Sequence, residues 1–162
     1  MNDEDIKLHA LQVSRLASDL GPSECAVLAA VCTLHQLADG DVLVREGKAD
    51  SRLHVVANGE LAVVRGIETQ ERVPIAMIHP GELAGELGFV DGAVRHASLV
   101  AVGPSTVLTL ERDRLESLLD AHGVVVYHVM RAIVRSVHEI QRRLSLQAVE
   151  LTNYIYKQHG RY

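Results

Sequence analysis

Between Thr33 and Gly66 the chain cannot run as a helix. Asp39-Gly40, Gly47, Asn58-Gly59 and Gly66 interrupt it at short intervals, and between these marks Val and Leu alternate with polar residues. Successive side chains of a strand point to opposite faces, so this alternation buries one face, while glycine supplies the positive φ of tight turns. The stretch therefore reads as short antiparallel strands joined by tight turns. Asn58-Gly59 is its strongest hairpin signal, because Asn and Gly are the residues that tolerate positive φ. VPIAMIH, RHASLVAV and STVLTLE continue the strand pattern, IETQER reads as a polar loop, and Pro74 and Pro104 fit strand edges or turns. Many short strands with regular turns predict a sandwich or jelly roll.

Helical patterns flank this β-rich stretch. Ile6, Leu8, Leu11, Val13 and Leu16 fall at mixed helical spacing over residues 3–19, with Leu20 just beyond. In GPSECAVLAAV, Gly21 ends one helix and Pro22 suits the start of the next, with Ser23 or the preceding turn as its cap. RDRLESLLDAHG reads as one helix from Arg112, stopped at Gly123. A long uninterrupted helix follows. Its Val126, Met130, Ile133, Val137, Ile140 and Leu144 recur at alternating steps of four and three, the period of a coiled-coil seam. Gln147 interrupts the pattern, and Leu151 and Tyr154 resume it. Such a helix either lies along the β-roll or pairs two copies as a homodimer through 124–155. The expected fold class is α+β, mainly β: an antiparallel jelly roll with N-terminal helices and a long C-terminal dimerisation helix. The expected divisions are N-terminal helices at 1–31, the β-roll at 32–111 and C-terminal helices at 112–162, in a single domain.

Composition narrows the function classes. A net charge of -5 and 3% aromatic residues offer neither a basic footprint nor a stacking platform for nucleic acid. The opening MNDEDIKLH is acidic and lacks the apolar core of a signal peptide, and no apolar run reaches the ~18 residues of a membrane span. A cytoplasmic location without membrane contact is expected. Cys25 and Cys32 lack zinc or redox spacing and read as buried thiols. His35, His54, His79 and His96 are scattered rather than clustered, which argues against a metal-binding roll. No nucleophile elbow, P-loop or carboxylate dyad points to an enzyme.

The stretch GELGFVDGAVRHAS, residues 85–98, carries the chemistry. A glycine-rich turn can present several backbone N–H groups to one point and so favour an anion. Gly81, Gly85, Gly88 and Gly92 leave room for close approach, and Arg95 can return to the same place with a planar guanidinium suited to phosphate. Glu86 would repel a phosphate but can accept from a sugar hydroxyl. Together these residues suit a sugar-phosphate. A Glu86–Arg95 salt bridge on a surface loop is the other reading of the same residues.

This stretch resembles the phosphate-binding cassette of cyclic nucleotide-binding domains, the sensor modules of catabolite activator protein and protein kinase A regulatory subunits. VREGKADSRLHVVANGELAV resembles the upstream signature of that family, with Gly47 and Gly59 at the expected turns. The resemblance implies that Glu86 binds the ribose 2′-hydroxyl and that Arg95 pairs with the cyclic phosphate. It implies that Gly85, Leu87, Gly88 and His96 line the pocket or offer N–H groups, and that Ala97 and Ser98 are the small residues after the arginine. His96, Ala84 and Val94 depart from the usual pattern, and His96 leaves the base preference open. In this family the long helix covers the base, which makes Ser136, His138 and Glu139 candidates for that lid. The ligand expected is cAMP, with cGMP as the alternative, and no cofactor or metal. No helix-turn-helix segment follows the long helix before HGRY, so the expected output is an effector protein on another chain. A ligand-free dimeric scaffold of the same fold, or a sensor of another anionic metabolite, are the competing readings.

Overall fold

In the computed structural model, residues 2–69 and 72–159 are described; Gln70 and Glu71 of the IETQER loop and the last three residues of the HGRY tail lie outside them. The first helical stretch divides. α1 (Asp3–Gln12) is capped by Asn2, whose Oδ1 accepts from Asp5 N at 2.8 Å, and a separate 3-10 turn follows at Arg15–Ala17. The helix predicted to reach residue 19 therefore stops at Gln12. Arg15 N–H donates to Gly81 O at 3.0 Å, which pulls the chain away from the helix axis and leaves Val13 61% exposed. α2 (Pro22–Val31) begins at the proline, with Gly21 N–H donating to the Glu24 carboxylate at 3.1 Å.

Two long strands carry the sheet. β1 (Thr33–Leu37) and β2 (Val42–Val44) precede β3 (Arg52–Arg65); β4 (Val73–Ile78), β5 (Leu83–Ala84), α3 (Glu86–Asp91) and β6 (Ser98–Glu111) follow. β3 and β6 pair antiparallel from Arg52↔Glu111 to Val64↔Ser98. β1 and β2 add to β6, and β4 and β5 add to β3, giving a six-stranded antiparallel network. The long strands bend together, which rolls the sheet into the jelly roll.

That bend corrects one expectation. Asn58-Gly59 makes no hairpin; it lies inside β3, where the register shifts on both sides of Asn58 and Gly59 has φ +82°. What faces it is Pro104–Ser105 of β6, and Glu60 N–H donates to Ser105 Oγ at 3.2 Å. The positive φ is found at Gly59 and not at Asn58, and it serves a bulge at a corner rather than a reversal. Pro74 stands on β4, an edge strand paired only with β3, at a register shift, so its missing N–H costs no ladder bond on a second side.

The alternation of β3 and β6 builds two cores. Leu53, Val55, Leu108 and Leu110 pack with Leu11, Leu28, Phe89, Leu115, Val129 and Ile133 beneath the helices. Val56, Leu61, Leu99, Ala101 and Val107 join Val44 and Ile78 inside the roll. Cys25 and Cys32 are both buried thiols, and burial pushes Cys32 up to about 12.

The C-terminal helices also differ from the sequence pattern. α4 (Arg112–Glu116) is short, and α5 starts at Leu119 and runs to His159, about 60 Å at 1.5 Å per residue. The break falls at His122 (φ -137°, ψ 45°), one residue before the predicted stop at Gly123, and it lets the chain turn so that Val125 and Val129 reach the core. Val126 and Ile133, predicted in the dimer seam, are 8% and 1% exposed and belong to the chain's own core. The exposed apolar line keeps Leu144 and Leu151 of that seam but takes Tyr127 and Val134, one residue on from Val126 and Ile133. No helix among the described residues is long and apolar enough to cross a membrane.

The corner makes a stability prediction. A Cβ on Gly59 would lie 2.3 Å from Ser105 Oγ and 2.7 Å from Pro104 O, whereas Gly40 (φ +83°) has open space around it. Gly40→Ala should cost about 1 kcal/mol for the left-handed backbone, and Gly59→Ala about 3 kcal/mol because the crowding adds to it. Urea unfolding of the two variants checks this; equal losses would show that the corner relaxes freely.

Candidate functional site

The cassette is held at the end of the β3–β6 ladder by main-chain bonds. Arg95 N–H donates to Lys48 O and Gly47 N–H donates to Arg95 O, both at 2.9 Å, and Ala49 bridges Val94. The segment before Arg52 and the segment before Ser98 are thus stitched together. Gly85 (φ +85°) turns the chain from β5 into α3. A Cβ there would lie 2.7 Å from Arg95 Nη1, and a Cβ on Gly88 would lie 2.4 Å from Arg95 Cζ. The two glycines leave the space that the guanidinium fills.

The Arg95 side chain is 11% exposed. Its Nη2 donates to Arg52 O at 2.7 Å and lies 4.0 Å from Asp50 Oδ1, while its Nε is buried without a hydrogen-bond partner. Burial and the neighbouring Arg52 charge lower its affinity for a proton, opposed by Asp50 and Glu86. Asp50 is itself bound by Arg52, which donates from Nε at 3.0 Å and Nη2 at 2.8 Å. Burial alone would raise the Asp50 carboxyl, and these bonds outweigh it and hold the carboxyl below its ordinary value. Asp50 is therefore largely committed to Arg52, and Arg95 is a buried cation with an incomplete set of acceptors.

Glu86 is 7% exposed, and its Oε1 accepts from Ser136 Oγ on α5 at 2.7 Å. No ion pair joins Glu86 to Arg95 among the described residues, so the salt-bridge reading does not describe this loop. Both side chains instead line one cavity of about 350 Å³, together with Gly85, His96, Ala97 and Ser136. Its other walls include Val44, Val63, Ile78, Leu83, Leu99 and Ile140, and Arg15, Glu82 and Arg143 are among its charged residues. An apolar chamber with a few converging polar groups is the form of a small-molecule site.

The other predicted residues fall outside the cavity lining. Leu87 is 64% exposed on the outer side of α3, and Gly88 serves by making room for Arg95. Ser98 is fully buried, its hydroxyl accepting from Glu46 N at 2.8 Å, so it braces the loop before β3. His138 is exposed, and Glu139 pairs with Arg15 at 2.5 Å. Asp50, Arg52 and Arg143 were missed by sequence reasoning. Nothing local marks them, because they reach the site only through the pairing of distant segments. Among the described residues no group of three or more His, Cys, Asp and Glu could hold a metal ion.

A family model described as cyclic nucleotide-binding domain matches residues 34–122, more than half of the chain. The cyclic AMP receptor protein of Thermus thermophilus is 28% identical over 138 residues, 85% of this chain and 63% of that protein. A cAMP-dependent protein kinase regulatory subunit of Dictyostelium discoideum is 28% identical over 88 residues, 49% of this chain and 25% of the subunit. The chain spans less than two thirds of the length of either relative. A cyclic nucleotide-binding domain from Methylobacillus flagellatus has the same fold, with a TM-score of 0.74 at 24% identity, covering 86% of this chain and 79% of that one.

Beneath the cassette, His54 is fully buried, with Nδ1 2.9 Å from Thr109 Oγ1 and Nε2 unpartnered. Burial, then the Arg52 charge, lowers it from 6.5 to about 3. Above pH 6.5 this histidine is neutral folded or unfolded. Between 6.5 and about 3 the unfolded chain takes up a proton that the folded chain refuses, so stability falls as pH falls. At about 1.4 kcal/mol per pH unit, wild type should lose roughly 2 kcal/mol more than His54→Asn between pH 7 and pH 5. Urea unfolding at both pH values measures it, and identical losses would exonerate His54.

Proposed function

The chain belongs to the cyclic nucleotide-binding domain family, and we propose that it is a regulatory sensor of cAMP, with cGMP as the alternative ligand, acting through a partner protein. The observation that carries this reading is Arg95: a buried guanidinium, short of acceptors, lining the same cavity as a buried Glu86. A cyclic phosphate supplies the missing charge and acceptors, and a ribose hydroxyl supplies a donor to the carboxylate. In this reading His96 and Ala97, next to Arg95 in the chain, meet the phosphate, and all three line the cavity with Ser136. A chain that keeps Arg95 buried with so little compensation gains more from a bound anion than a ligand-free scaffold would. One observation favours the scaffold reading: Arg95 already donates to the Arg52 carbonyl at 2.7 Å.

Two copies pair through the exposed line of α5. Tyr127, Val134, Leu144 and Leu151 are each about three-fifths exposed, and they recur at heptad-compatible spacing with half-buried Met130 and Val137. Beyond residue 140 no described residue of the helix is buried, and ~27 Å of it projects past the roll at 1.5 Å per residue. A second helix laid along this line removes the apolar side chains from water.

Arg95→Ala should weaken cAMP and cGMP binding at least ~100-fold, because it removes a buried charge partner, and Glu86→Ala should weaken it ~10-fold. Isothermal titration calorimetry on nucleotide-free protein reads both; wild-type affinity in Arg95→Ala would end the assignment. Sedimentation equilibrium checks the pairing. Val134→Glu combined with Leu144→Glu is expected to give a folded monomer, and an unchanged dimer would put the interface elsewhere.

A further inference from the structure

Glu86 and Ser136 meet although they are fifty residues apart in the chain. Both are 7% exposed, and both line the cavity. The bond is short, 2.7 Å from Ser136 Oγ to Glu86 Oε1, and among the described residues no cation pairs with this carboxylate. A carboxylate has two oxygens and about four acceptor positions. Oε1 is taken by the helix, and the Glu86 side chain that carries Oε2 lines the cavity. A serine hydroxyl has one proton to donate. Here that proton is committed to Glu86, so it is not available to an acceptor on a base.

We propose that Ser136 is a positioning residue for sugar recognition: by donating to one oxygen of Glu86 it holds the carboxylate so that the other oxygen receives the ligand's ribose hydroxyl. This rests on the cyclic nucleotide reading and replaces the base-covering role first assigned to Ser136. A buried glutamate side chain has three rotatable bonds, and a carboxylate free to turn would lose both aim and affinity. Ser136 is rooted on α5, whose preceding turn is packed into the core through Ala132 and Ile133, so the donor is itself held rigidly. The arrangement gives the helix and the ligand a common carboxylate. Occupation of the sugar pocket and seating of α5 on α3 therefore support each other.

The test compares cAMP with 2′-deoxy-cAMP by calorimetry on wild type, Ser136→Ala and Ser136→Thr. Wild type should prefer cAMP about tenfold, the worth of a hydrogen bond to a charged group. In Ser136→Ala that preference should shrink to about twofold, with affinity for the 2′-deoxy ligand nearly unchanged, and Ser136→Thr should restore it. Equal weakening for both ligands, or an undiminished preference in Ser136→Ala, would overturn the positioning role while leaving the sensor reading intact. If wild type binds neither, cGMP and 2′-deoxy-cGMP carry the same comparison, and failure to bind any of the four would remove both readings. If Ser136→Ala does not fold, Ser136→Cys carries the same comparison, because a thiol is a weak donor of similar size and should reduce the preference part of the way.

Discussion

The pairing of β3 with β6 is the constraint on which the rest of this molecule depends. It joins residues 52–64 to residues 98–111 along nearly their whole lengths, and every other strand is attached to one of these two. Because the two strands bend together at Gly59 and Gly103, one ladder serves both faces of the roll. Alternate side chains then feed two cores, one under the helices and one inside the roll. The ladder also ends where the chemistry begins. Arg52 opens β3 and its carbonyl receives the Arg95 guanidinium, while β6 begins three residues after Arg95.

The site keeps opposite charges near one another without letting them cancel. Glu86 is engaged by a hydroxyl from α5, and Asp50 is engaged by Arg52, so Arg95 is left with a carbonyl and a carboxylate at 4.0 Å. Burial makes that state costly and an arriving anion correspondingly favourable. Gly85 and Gly88 allow it, since a side chain at either place would occupy the volume of the guanidinium. The glycines of this loop therefore serve the arginine as directly as they serve any ligand.

α5 has two duties on adjacent faces. Val125, Val129, Ala132 and Ile133 complete the core, and Ser136 and Ile140 close one wall of the cavity. The neighbouring line through Tyr127, Val134, Leu144 and Leu151 meets solvent in the single chain. A change at the cavity wall and a change at the exposed line are movements of one rigid body, because a single helix carries both.

Much of this was legible in the residues. The glycine marks and apolar alternation specified antiparallel strands, because period-two burial and positive φ are local properties, but they split into short strands what β3 and β6 run as fourteen residues each. The stretch 85–98 offered Glu86 and Arg95 as either a sugar-phosphate site or a surface salt bridge, and the family resemblance favoured the site. What the residues could not say was which partner each feature would meet. Gly59 has the positive φ that a hairpin would also give it, Asn58 does not, and the meeting with Pro104 and Ser105 goes with the bulge. Apolar residues of α5 lie on more than one face, so periodicity alone offered a seam containing Val126 and Ile133, which packing assigns to the core. Ser136 met Glu86, and Arg52 and Asp50 met Arg95, through contacts made by the folded ladder and helix. Backbone conformation and residue chemistry were thus written in the sequence itself. The pairing of buried polar groups was decided by the tertiary structure, because each such group must find its partner wherever the packed elements bring one.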